Sequence, residues 1–123
     1  MSVKVDLDEL ASALEDFSFA YLITVGEDHR AHTIAVQPAL ADGVFDVGTQ
    51  GATTSRNVES RPNVTLVWPP SAAGGYSLIV DDTASIDGSL KVTPGRAVLH
   101  RRAADMPESP TGRAHDCVPL KKP

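Results

Sequence analysis

What the chain lacks narrows it first. It has one cysteine, Cys117, in 123 residues, so no internal disulfide can form, which agrees with a reducing compartment. Basic residues are scarce, 11 Lys and Arg against 16 Asp and Glu for a formal charge of -5. No basic cluster precedes the C-terminal tail, and a nucleic-acid partner, which needs several phosphate contacts, is not expected. Long apolar runs are also missing: FAYLITV and YSLIV fall far short of the roughly 20 residues that span a bilayer. The N-terminal MSVKVDLDEL is too acidic for a secretion signal, so the expectation is a soluble, cytoplasmic protein with no membrane partner. No Gly-x-Ser-x-Gly, Walker or dinucleotide fingerprint occurs, and no internal repeat. His29, His32, His100 and His115 show no i, i+4 spacing, so no zinc or haem motif is present. The thiol of Cys117 has only its sequence neighbour His115 as a base, and CVPL is not a prenylation box because Lys121 to Pro123 follow it.

What is present reads as β structure. A chain of this length makes one domain and buries roughly 65% of its unfolded surface. Nine Pro and nine Gly favour turns over long helices. The segment DLDELASALEDF sets Leu7, Leu10, Ala11, Leu14 and Phe17 at helical spacing, predicting a helix at about 7 to 16 with Asp6 as N-cap. FAYLITV and AHTIAVQPAL read as two antiparallel strands joined by a GEDHR turn, and VFDVGT as a third strand paired with the second. NVTLVW, stopped by Pro69 and Pro70, is a fourth strand. YSLIVDDTASI, with Tyr76, Leu78 and Val80 on one face, is a fifth. LKVTPGRAVLH is a sixth extended piece, interrupted at Pro94-Gly95, whose second half reads either as a new strand or as a helical turn. The expected fold class is mainly β: a six-stranded antiparallel split β-barrel of Greek-key type with an N-terminal helix and a short helix between strands three and four. It occupies residues 1–102, and an irregular tail, rich in Pro and charge, occupies 103–123.

The series AYLITVGEDHRAHTIAVQPALADGVFDVGTQGATTSRNVESRPNVTLVW resembles the pyridoxamine 5'-phosphate oxidase-like, FMN-binding split-barrel family, in a small actinobacterial-type form. The match runs from about Phe19 to Trp68, and VDDTASI and TPGRAVLHRRA look like the family's closing strands. The resemblance implies a homodimer that binds FMN, or alternatively a deazaflavin coenzyme, in a cleft between two barrels. It implies an oxidoreductase whose hydride or electron transfer is carried by the cofactor, with no catalytic side chain required. In the family's pattern the ring lies along the second strand, His32 to Leu40, where Thr33, Ala35 and Val36 offer backbone and a small, flat surface. The phosphate is held by the end of the third strand and the following helix, which correspond to Thr49 to Arg56.

Each of those positions also has a plainer reading. Thr53, Thr54 and Ser55 serve either as hydroxyl donors to phosphate or as helix caps. Thr49 and Gln50 reach either the polar edge of a flavin or their own turn. Arg56 pairs either with phosphate or with Glu59. Trp68 and Tyr76 stack on a cofactor or a second subunit, or fill the core. Where many flavin-binding relatives carry basic residues after the third strand, this chain has Ala52, Thr53 and Thr54, and Arg56 is the one basic residue of Thr49 to Arg56. Arg30, Arg96 or a residue of a second chain are the remaining sources of positive charge. The alternatives to an FMN protein are therefore a cofactor-free split-barrel module and a deazaflavin coenzyme-dependent reductase.

Overall fold

In the computed structural model the described residues are 2–102; the expected tail, with Cys117, lies outside the described residues. Period-two alternation becomes a single antiparallel sheet. Its strands are β1 (Ser2–Val5), β2 (Ala20–Val25), β3 (Ala31–Val36), β4 (Ala39–Ala41), β5 (Val44–Gly48), β6 (Asn63–Trp68), β7 (Ser77–Asp87) and β8 (Ser89–His100). The order is β3-β2-β6-β7-β8-β5-β4, with β1 added along β8.

β3 and β4 stand at opposite ends of that order yet are joined by only Gln37 and Pro38, so the sheet closes through the covalent chain. Pro38 has no amide hydrogen to donate, which breaks the ladder where the strand passes from pairing with β2 to pairing with β5. The expected second strand is thus one extended segment in two halves. Eight strands replace the expected six for two reasons: that split, and β1, which pairs with β8 and buries Val5 opposite Ala97. The Pro94-Gly95 interruption does not end the last strand. Asp81 faces Arg96 and Asp82 faces Pro94, so Gly95 is the extra residue of a β-bulge. A bulge tolerates both a missing donor and a missing side chain.

The N-terminal helix falls where periodicity puts it but is largely 3₁₀. A 3₁₀ turn (Leu7–Glu9), one α-helical turn, α1 (Leu10–Ala13), and a second 3₁₀ turn (Leu14–Asp16) follow one another. Asp6 gives no side-chain cap; its carbonyl accepts from the Glu9 amide at 2.9 Å. Leu10 is buried, whereas Leu7 is 45% exposed. The second helix, α2 (Ala52–Ser60), carries the chain from β5 beside β8 to β6 beside β2, packing on β2 and β7 as it crosses.

Inward-facing residues align across the sheet. Leu22, Leu66, Val80 and Ala97 form one cross-strand row, all buried. The same register places Tyr21, Val67, Ile79 and Val98 in a row on the outer face, and Ile23, Thr65, Asp81 and Arg96 in the next. No helix among the described residues is long and apolar enough to cross a membrane.

Candidate functional site

The β2–β3 hairpin forms one wall. Its tip is fixed by Gly26 N–H to the Arg30 carbonyl (3.0 Å), His29 N–H to the Gly26 carbonyl (2.9 Å) and Arg30 N–H to Asp28 Oδ1 (3.0 Å). His29 sits at φ 66°, a left-handed conformation that histidine tolerates in turns. These bonds set Glu27 and Asp28 on the outside of the turn.

α2, entered from the end of β5, forms the other wall. Gly48, at φ 86°, ends β5, and its N–H donates to Asp46 Oδ1 at 2.9 Å, which also accepts from Ser89 Oγ at 2.9 Å. The Gly48 bond, followed by that of Ser89, holds the Asp46 carboxyl below its ordinary range. Gln50 Nε2 donates to the Val47 carbonyl at 2.9 Å, so its amide is engaged in its own turn, and Thr49 is exposed.

The N-cap of α2 is Gly51, without a side-chain cap bond, which corrects the reading of Thr53, Thr54 and Ser55 as caps. They lie within the helix: the Ser55 amide donates to the Gly51 carbonyl at 3.1 Å, while the amides of Thr53 and Thr54, in the first turn, have no intrahelical acceptor. Thr53 and Arg56 are exposed, Ser55 is half-buried and Thr54 is buried. Asn57, also buried, donates from Nδ2 to Thr24 Oγ1 at 3.0 Å and so ties α2 to β2.

The hairpin tip and α2 flank a half-open cavity of about 390 Å³ lined by Glu27, Asp28, Thr53, Arg56 and Glu59, with Asn57 and Ser60. Arg56 makes no ion pair with Glu59 among the described residues. The structure therefore gathers Thr53 and Arg56, and adds carboxylates that sequence reasoning did not place beside them.

Thr33 and Ala35 occupy different ground. Both are exposed on the outer face of β3, opposite Ile23 and Tyr21 of β2. Val36 pairs with Ala20 and is buried, so only its backbone is available there. Trp68 is 3% exposed with its ring 5.4 Å from Phe45, a core position away from any surface ligand. Tyr76 is half-buried beneath the Arg101 guanidinium, 4.6 Å from the ring centre.

One titratable group went unread in the sequence. Asp82 is 5% exposed, and neither carboxylate oxygen has a hydrogen-bond partner among the described residues. Desolvation, and secondarily the neighbouring Asp81, push its pKa up to about 8. The signal was available: continuing the alternation Tyr76, Leu78, Val80 by one step lands on residue 82.

No family model matches the chain. The chain is 48% identical to the "Uncharacterized protein Mb0449c" of Mycobacterium bovis, over 98% of this chain and 97% of that one. The "Uncharacterized protein MT0457" of Mycobacterium tuberculosis matches to the same extent. Among solved structures it is similar to a FAD-binding protein from Mesorhizobium loti (TM-score 0.65, 8% identity, 84% of this chain and 98% of that one). It is also similar to a protein of the pyridoxinephosphate oxidase family from Clostridium acetobutylicum (TM-score 0.62, 14% identity, 80% and 92%). An F420 reductase matches at TM-score 0.55 and 16% identity, over 75% of this chain and 92% of that one. At these identities the structural likenesses establish the fold. The chain belongs to the family of the mycobacterial proteins Mb0449c and MT0457, built on the split-barrel fold of pyridoxamine 5'-phosphate oxidase-like proteins.

Proposed function

We propose that the protein is a homodimeric split-barrel oxidoreductase that binds a flavin-type ring along β3. The observation that carries this reading is the outward face of that strand. Ala31, Thr33 and Ala35 are exposed there, on a strand that among the described residues pairs only with β2, so its far edge offers backbone amides and carbonyls. Small side chains let a planar ring approach, and free backbone groups suit its polar edge.

From Ala35 the same face continues as Tyr21, Val67 and Ile79. Tyr21 is 39% exposed, with Phe19 edge-on at 5.2 Å. An apolar row leading out of the ring site supports a second copy covering both, and so a cleft between subunits. FMN is the first candidate; the names of the FAD-binding protein and the F420 reductase support a flavin or deazaflavin class. When bound, such a ring supplies hydride or electron transfer. The chain's own share is to orient the ring through the β3 backbone near Val36, to offer the hydroxyls of Thr33 and Thr49, and to exclude water with the apolar row.

Fluorescence titration with FMN and with the deazaflavin coenzyme tests the reading. Saturable quenching is expected, weakened at least about tenfold by Ala35→Trp, which fills the ring surface. A colourless protein that quenches neither at high concentration rejects it, and a monomer at all concentrations in sedimentation rejects the cleft. The second reading, a cofactor-free split-barrel module, is favoured by one observation: the residues around Arg56 do not suit a phosphate.

A further inference from the structure

We infer that the cavity between the β2–β3 turn and α2 repels phosphate, so that a flavin-type cofactor of this protein is held by its ring and not by an anion gripped at Thr53 and Arg56. The cofactor half of this statement rests on the reading of β3 above; the repulsion does not. Glu27, Asp28 and Glu59 contribute three negative formal charges against the single positive charge of Arg56, a net of -2 on the lining. A sphere of 390 Å³ has a radius of about 4.5 Å, inside the screening length of roughly 8 Å at physiological salt, so every lining charge acts on an anion at its centre. A phosphate monoester brings about -1.5 to -2 of its own.

The attraction available is smaller. First-turn amides of a helix favour an anion by a factor of about two to five. Arg56 adds one cation, and Arg30, considered as a further source of charge, does not line the cavity. The acidic walls are also held in place. Asp28 is fixed by the Arg30 amide, and the Asn57–Thr24 bond keeps α2 against β2, so Glu59 stays across from the hairpin tip.

The test titrates inorganic phosphate while following the ¹⁵N amide shifts of Thr53 and Arg56, and compares FMN with riboflavin by fluorescence quenching. Wild type is expected to show no saturable phosphate shift below about 10 mM and to bind FMN no more than about threefold more tightly than riboflavin. The variant Glu27→Gln/Asp28→Asn/Glu59→Gln is expected to gain at least about tenfold for phosphate; Glu59→Gln alone, at an exposed helix position, is expected to gain a smaller factor and guards against misfolding of the triple variant. Saturable phosphate binding by wild type, or an FMN preference above about tenfold that Arg56→Ala abolishes, overturns the inference. If neither flavin binds and phosphate still leaves both amides unmoved, the repulsion stands and the ring-binding reading falls.

Discussion

Two regions of the barrel interior follow opposite rules. The row of Leu22, Leu66, Val80 and Ala97, with the Phe45 and Trp68 rings beside one another, is wholly apolar. The buried polar residues among the described ones, Thr24, Thr54, Asn57 and Asp82, belong instead to α2 or to β2 and β7, the strands it packs on. Inward positions are equally inward in both regions, so the difference lies in what fills them. The apolar region stabilises by removing area from water, while the polar region holds one satisfied hydrogen bond and one unsatisfied acid. The fold is secured by the first and tolerates the second, and the second lies on the elements that carry the candidate site. The outer face divides in a similar way, an apolar row through Tyr21 beside a polar row through Asp81.

The comparison breaks most readily at Leu66. Leu66→Ala removes a fully buried side chain between Leu22 and Val80 and should cost about 3 to 5 kcal/mol in denaturant unfolding. A loss below about 1 kcal/mol would mean the apolar row is not the stabilising half.

Asp82→Asn should act in the opposite direction, stabilising the protein by about 2 to 4 kcal/mol at pH 7. The sign follows from linkage. The folded pKa, about 8, lies above the unfolded value, so the neutral acid in the fold is fully compatible with stability below about pH 4, and stability falls as pH rises from there to about 8. Asn cannot ionise, so the variant's unfolding free energy should lack this slope. Parallel pH profiles for the two proteins would show that folding does not raise the Asp82 pKa.

A smaller effect is expected at the satisfied pair. Asn57→Ala leaves the buried Thr24 hydroxyl without its partner and should cost about 1 to 2 kcal/mol, with faster hydrogen exchange in α2. Thr24→Val combined with Asn57→Leu should recover part of that loss, since both polar groups are then gone. The smallest change belongs to the outer face: Arg96→Ala removes an ion pair at 3.6 Å between exposed side chains and should move stability by less than about 0.5 kcal/mol.

Most of the strands were legible because each has one buried face, and burial imposes a period of two. The pieces that escaped are those where that signal is short or broken. Ser2–Val5 offers a single buried residue, Val5, too little to mark a strand without knowing that β8 lies beside it. Pro94 looked like an interruption because the sequence does not disclose the bulge opposite Asp81 and Asp82 that accommodates it. Thr53 to Ser55 resembled caps by residue type, yet Gly51 begins the helix because Gly48, in a left-handed conformation, and the Gln50–Val47 bond have already turned the chain.

The candidate site was legible in its parts and not in its company. Thr53 and Arg56 are near in sequence, and a helix brings residues three apart onto one face. Glu27 and Asp28 stand three strands earlier, with β3, β4 and β5 lying between, and nothing local relates them to Arg56.

The sequence alone determined the β class, most strand positions and the N-terminal helix, because local alternation and turn chemistry act over a few residues. Tertiary structure alone decided that Pro38 splits one strand between two pairings, that Trp68 goes to the core, that Asp82 is buried without a hydrogen-bond partner among the described residues, and that three carboxylates line one cavity with Arg56. The physical reason is range: burial and charge depend on which distant segments meet, and that is fixed only when the sheet closes.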